Sequence, residues 1–348
     1  MNGEISWIPA DLELVAMRIS RADEAAFAVA QLALEWSRSG GDGPLDMLQV
    51  ENPPGTLSLV VAKVRPIPPA IVLLFSEAIH HLRAALDNTV FHLVEQEQGP
   101  LSEALARRVA MRIDHDEAAF AKWLGSNDKA GLPALGHKSP LAARMRALQP
   151  FASSETVPAM PESLAALMGV KVDRVHPLLL LKGYSNADKH RAIRAAAARA
   201  VVQRDDQPFS ESDRTMRPVQ AGDVLSVTPK GVLVGVDTQA SVHVRRPGGT
   251  AWVAPSSELD RLRSYVAGAV PKLLSGDGGQ RAFPPKIDLT DNGQTDRERI
   301  ESASWDSAVE RMKPISHQAF AEAQAAPVAV PRIVLSRQDW RTAPPSGA

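Results

Sequence analysis

Two stretches of this chain hold most of the side chains able to do chemistry. The first, residues 71–98, carries His80, His81, Arg83, Asp87, Asn88 and His92; the second is Ser185-Asn186-Ala187-Asp188-Lys189-His190-Arg191. An imidazole exchanges a proton near neutral pH, a guanidinium grips phosphate through two parallel hydrogen bonds, and a carboxylate orients an imidazole. At 100° per residue on a helix, His80, Arg83 and Asp87 share one narrow stripe, with Arg83 and Asp87 an i, i+4 pair. Glu77, His81, Asn88, His92 and Glu95 line the other flank. In the second stretch, Ser185 or Asn186 suits a helix N-cap, and Asp188 in the first turn would complement the helix dipole. Lys189, His190 and Arg191 gain nothing from such a place, and that misfit points to a functional use.

Two uses of these residues are consistent with their types. One is a metal-independent RNase or phosphoester hydrolase, in which Arg83 and Arg191 hold a phosphate, His190 or His80 moves a proton, and Asp87 or Asp188 orients the imidazole. The other is a non-catalytic binding or regulatory protein, in which a buried network locks helices together. There Asp87 pairs with Arg83 or Arg191, and Asp188 with His80 or His81. The second is preferred, because no complete catalytic motif is present and structural ion pairs outnumber catalytic ones. Asp114-His115-Asp116-Glu117 looks like a metal site, yet neighbouring residues point in different directions and Asp114 or Asp116 is a natural N-cap. There is no His-Glu-x-x-His, no Gly-x-Gly-x-x-Gly, no Walker loop and no Gly-x-Ser-x-Gly. The chain has no cysteine, which removes disulfides, thiolate nucleophiles and Cys-based zinc sites. Neither a metal nor a cofactor is expected.

These residues need a scaffold, and 348 residues suffice for a substantial core. Residues 11–38 repeat apolar side chains at helical spacing, ending at Gly40-Gly41. Segments 45–50 and 56–64 flank Asn52-Pro53-Pro54-Gly55 and read as a hairpin. Pro66, Pro68 and Pro69 introduce the long helix, whose Ile71, Phe75, Ala78, Leu82, Ala85, Leu86, Thr89 and Leu93 form one face. A short strand is expected over 109–113, then helices over 117–124, 140–148, 162–168 and, rich in alanine, roughly 176–199. Segments 223–228, 232–236 and 241–246 alternate apolar and polar residues and predict a three-stranded antiparallel meander, followed by a helix over 256–274. Trp252 and Tyr265 near the meander suit an apolar core. The expected fold is α+β and mainly helical, with a helical core and a small antiparallel sheet or meander. Its expected division is a helical domain with an inserted hairpin (1–203), a meander with a covering helix (204–275) and a loosely structured tail (276–348). Within that tail only Ile333, Val334 and Trp340 offer apolar side chains for docking.

Lysine and arginine (39) nearly balance aspartate and glutamate (40), so only a local patch would draw a polyanion. The N-terminus lacks the basic start and apolar core of a signal peptide, and the apolar runs 71–75 and 178–181 are too short to span a bilayer. The cytoplasm is therefore the expected location, with no membrane partner.

His80-His81-Leu82-Arg83-Ala84-Ala85-Leu86-Asp87-Asn88, Leu148-Gln149-Pro150-Phe151 and Asn186-Ala187-Asp188-Lys189-His190-Arg191 together resemble motifs of a group of bacterial cytoplasmic proteins without an assigned activity. The resemblance covers about residues 11 to 200, in the same order. The long helix is also similar to the HEPN class of helical nucleases and toxin-like proteins, whose hallmark is an arginine and a histidine separated by four to six intervening residues. Here the four residues after Arg83 lead to Asn88, and His92 comes later; asparagine cannot titrate and so cannot serve as the acid or base of that class. No partner is fixed by the sequence; RNA or another phosphate-bearing ligand is the one the hydrolase reading calls for, and a homodimer is left open.

Overall fold

In the computed structural model, residues 6–39, 43–190, 192–276, 281–325 and 332–334 are described. The fold is α+β and mainly helical. Helix α1 (Glu13–Ser37) leads into the hairpin β1 (Leu45–Asn52) and β2 (Thr56–Val64), and helix α2 (Pro69–Gln98) returns along α1. Pro69 sits in the first turn of α2, where its missing N–H costs nothing. Every residue of the apolar face expected for α2 is buried, from Ile71 to Leu93. By length and composition alone α2 could cross a membrane, but here that face packs on α1, α7 (Pro177–His190) and α8 (Pro255–Ser275).

Between α2 and α7 lie the short helices α3 (Glu103–Ala106), α4 (Glu117–Ala130), α5 (Pro140–Ala147) and α6 (Glu162–Met168). Asp116 caps α4, its carboxylate accepting from Ala118 N at 2.8 Å, so the three carboxylates of the Asp-His-Asp-Glu run are spent on capping and ion pairs. A two-stranded ribbon, β3 (Val157–Pro158) with β4 (Arg174–Val175), brackets α6.

The alanine-rich segment departs from expectation. Helix α7 stops at His190, Ala192 takes φ +67°, and Ala195–Arg204 forms strand β5 rather than more helix. Alanine's helix preference is a few tenths of a kcal/mol per residue, too weak a prior to resist pairing with a long strand. That strand is β8 (Val236–Arg245), registered antiparallel from Ala195↔Val244 to Arg204↔Val236. With β6 (Arg217–Pro218) and β9 (Trp252–Val253) it makes the sheet β6-β5-β8-β9. The expected meander does not form. Residues 232–235 are a loop with Leu233 exposed, and β7 (Val224–Pro229) pairs instead with β2. Both sheets therefore join strands from either side of residue 203, and α8 packs on α1 and α2 across the expected division there.

The stretch after residue 275 is more ordered than its composition suggests. Helix α9 (Asp296–Glu301) opens with a Thr295/Glu298 capping box, and α10 (Ala308–Ala325) docks on α1. Backbone 332–334 forms β10, parallel to β1 at Leu48↔Arg332. Trp340 lies outside the described residues.

Candidate functional site

Residues of the first two sequence motifs hold one extended segment, 108–114, and residues of the third line a cleft along that segment. From 108 to 113 its buried Val109, Met111 and Ile113 alternate with exposed or half-exposed neighbours as in a strand, yet it pairs with no strand. Side chains take the place of a partner strand. From α2, Asp87 Oδ1 accepts from Met111 N at 2.8 Å and Arg83 Nη2 donates to Met111 O. Arg83 and Asp87 are themselves paired, at 3.0 Å and 3.1 Å. From the turn after α5, the buried Gln149 amide donates to Arg112 O at 2.8 Å and accepts from Asp114 N at 2.9 Å. From α7, Lys182 Nζ donates to Ile113 O at 2.8 Å. The expected strand at 109–113 is thus extended backbone held by side chains from α2, the α5 turn and α7.

A cleft of about 300 Å³ opens where these elements meet. Helix α7 contributes Lys182, Ser185, Asn186 and Lys189, which at 100° per residue fall within an arc of about 100° and so share one face. Arg83 closes the α2 side; Arg108, Ala110, Met111, Arg112 and Ile113 form the segment side; Trp123 of α4 completes the wall. Five of these lining residues are cationic and none is a carboxylate or a histidine. Two carboxylates reach the cations from behind: Asp87 on Arg83, and the buried Asp114 on Arg112 Nε at 2.7 Å. Arg108 Nη2 donates to Ser126 Oγ at 2.8 Å. Lys189, Ser185 and Asn186 line the cleft and make no side-chain hydrogen bond among the described residues.

Other expected residues sit elsewhere. Arg83 and Asp87 pair as anticipated, but His80 is exposed, beside the His81 ring at 6.0 Å rather than on Arg83. Asp188 and His190 are exposed at the end of α7, lie outside the cleft lining and have no partner among the described residues; Asp188 meets neither His80 nor His81. Arg191 lies outside the described residues. Because Ser185 to His190 end α7 rather than begin it, no N-cap forms there. Lys189 and His190 stand where cations complement the helix dipole, and the misfit read from the sequence disappears.

The second stripe of α2 faces α1. Arg21 Nε donates to Glu77 Oε1 at 2.7 Å, Arg18 reaches His81 Nδ1 at 3.4 Å, and Arg18 Nε meets the Asn88 amide oxygen at 3.2 Å once that amide is oriented to suit both its neighbours. Burial, with Arg18 nearby, holds the His81 pKa below its ordinary value.

The charges enclosed in the core are ones the sequence reading passed over. Arg246 and Glu258 form a fully buried bidentate pair at 2.9 Å and 2.7 Å, and the Tyr184 hydroxyl of α7 donates to the same carboxylate at 3.2 Å. Arg246 also donates to the carbonyls of Val157, Asp173 and Pro158. Burial pushes the Tyr184 phenol far above its usual pKa. Buried Asp23 of α1 lies 3.0 Å from Arg263 of α8 and 2.9 Å from Arg311 of α10; desolvation raises its pKa although both cations oppose this. Gly183 lets the turn after β8 approach α7, since a Cβ there would meet Pro247 at 2.7 Å. Among cleft residues, Arg108, Arg112, Trp123 and Lys182 were missed. The i, i+3, i+4, i+7 spacing of Lys182, Ser185, Asn186 and Lys189 is the signal that could have found the α7 face.

Among the described residues no cluster of three His, Asp or Glu side chains is placed to hold a metal. The loop Asp288-x-Thr290-x-Asn292-Gly293 has the order of a calcium loop, and Gly293 takes φ +74°, but its twelfth position is Arg299, where such loops use glutamate. The Arg299 guanidinium occupies the middle, donating to Asp288 O at 2.8 Å, Gln294 O at 3.2 Å and Thr290 O.

No protein-family model matches the chain, and no curated protein or solved structure proves similar to it.

Proposed function

We propose that this chain is a non-catalytic binding protein whose cleft between α2, α7 and segment 108–114 takes an anionic, phosphate-bearing ligand. One observation carries the reading: five cations from three elements surround a 300 Å³ space that no lining carboxylate or imidazole enters. Guanidinium and ammonium groups gathered in this way repel one another, and an anion relieves the repulsion. The Arg83–Asp87 pair and Gln149 are scaffold parts that hold the 108–114 backbone open to the cleft. Titrating the full chain with inorganic phosphate at low salt, by calorimetry, tests the reading. Binding that weakens as salt rises and is lost in Arg112→Glu/Lys189→Glu supports it; no binding at millimolar phosphate in 20 mM salt overturns it.

A metal-independent phosphoester hydrolase, HEPN-like in its use of Arg83, Asp87, Asp188, His190 and Arg191, is the alternative. It is favoured by one fact, that Arg83 and the 185–189 face of α7 share the cleft. It needs a group to move a proton, and His190 lies on α7 about 40° beyond Asn186. RNA or phosphodiester cleavage that vanishes in His190→Ala would establish it over the binding reading.

A further inference from the structure

We infer that the ligand of this cleft is a nucleoside diphosphate, with its phosphates on the α7 face and its base against Trp123. The inference rests on the anion-binding reading and adds charge, size and an aromatic wall. Of the five lining cations, Arg83 and Arg112 are each matched by a carboxylate behind them, Asp87 and Asp114, which leaves three positive charges on Arg108, Lys182 and Lys189. A phosphate's second pKa near 6 gives a monoester up to two negative charges and a diphosphate ester about three at neutral pH. The diphosphate is the one that neutralises the site.

Size argues the same way. A space of 300 Å³ holds about ten waters and stands at the low end of small-molecule sites. A lone phosphate would leave most of it filled with water around an apolar wall, whereas a nucleic-acid strand could insert no more than a nucleotide. The wall is Trp123. Its ring leans on Phe120, centroids 5.6 Å apart and planes 38° apart, and Phe120 in turn meets Phe151 at 5.9 Å. The indole is thus braced by core aromatics on one side while it lines the cleft on the other. Its N–H has no acceptor among the described residues, leaving a donor for a ring nitrogen or phosphate oxygen. Ser185 and Asn186, between the two lysines of α7, supply uncharged partners for the diphosphate.

The test is calorimetry on the full chain with inorganic phosphate, pyrophosphate and adenosine diphosphate in one buffer. Adenosine diphosphate is expected to bind at least tenfold tighter than pyrophosphate, the increment typical of stacking one base on an aromatic ring. Trp123→Leu should bring adenosine diphosphate down to the pyrophosphate value without moving pyrophosphate, and Trp123→Phe, which keeps a ring over Phe120, should retain most of the difference. If pyrophosphate and adenosine diphosphate bind the unaltered protein equally, the inference fails and the anion-binding reading stands. If neither pyrophosphate nor phosphate binds, that reading falls too. The Phe variant keeps the question answerable should the Leu variant unfold.

Discussion

Arg246 and Glu258 offer a direct test of how α7 is held. Arg246→Ala would leave the Glu258 carboxylate enclosed with the Tyr184 hydroxyl as its remaining donor. Stranding one member of a buried pair costs about 3–5 kcal/mol, and this variant belongs near the upper end because the Val157 carbonyl also loses its guanidinium donor, while the Pro158 carbonyl keeps the one from Arg261. Glu258→Ala belongs near the lower end. The guanidinium keeps its carbonyl partners, and the half-exposed Asp173 carboxylate lies 3.6 Å away. Arg246→Met with Glu258→Leu removes both charges and strands only neutral groups, so its cost should fall short of the sum of the singles by at least about 2 kcal/mol. Urea unfolding followed by circular dichroism reads this out: with a slope near 3 kcal/mol/M, a loss of 4 kcal/mol lowers the midpoint by about 1.3 M. A shift under about 0.3 M for Arg246→Ala, or singles that simply add in the double variant, would refute the reasoning.

Arg83→Ala should lower stability by about 1–3 kcal/mol, because Met111 O and the half-buried Asp87 lose a shared donor; an unchanged thermal melt would show that segment 108–114 does not depend on α2. His176 caps α7 by accepting from Leu178 N at 3.2 Å, and burial drives its pKa down to about 4. The unfolded chain, titrating near 6.5, then binds the extra proton between pH 6.5 and 4, so stability falls on acidification through that window, by about 2 kcal/mol at pH 5. His176→Asn, which can cap without titrating, should remove that share of the difference between urea midpoints at pH 7.5 and pH 5. Replacing the cation at the centre of the 288–299 loop by Arg299→Glu should create a weak calcium site, with a dissociation constant on the order of 10⁻⁴–10⁻³ M detectable by terbium luminescence, while the unaltered loop stays silent.

Periodicity alone was enough for the long elements. α1, α2 and α8 lie where their apolar repeats place them, and the Leu45–Asn52 and Thr56–Val64 strands flank the Pro-Pro-Gly turn that announces them. The Arg83–Asp87 pair was legible for the same reason, since partners four apart on a helix meet whatever the rest of the chain does. These are properties of contiguous residues, and the sequence determined them by itself. Tertiary structure decided the rest. The Ala195–Arg204 run suits helix or strand, and its pairing with β8 settled it; Val224–Pro229 had two sheets open to it and joined the one built on β2. Whether a charge is enclosed depends on what surrounds it: Arg246 reads as the last residue of the expected 241–246 strand, and only the approach of α8, α7 and the β3–β4 ribbon makes it a buried anchor. The cleft belongs to the same class, because Arg83, Arg108, Trp123 and Lys182 come from four separate stretches of the chain and only packing assembles them into one wall.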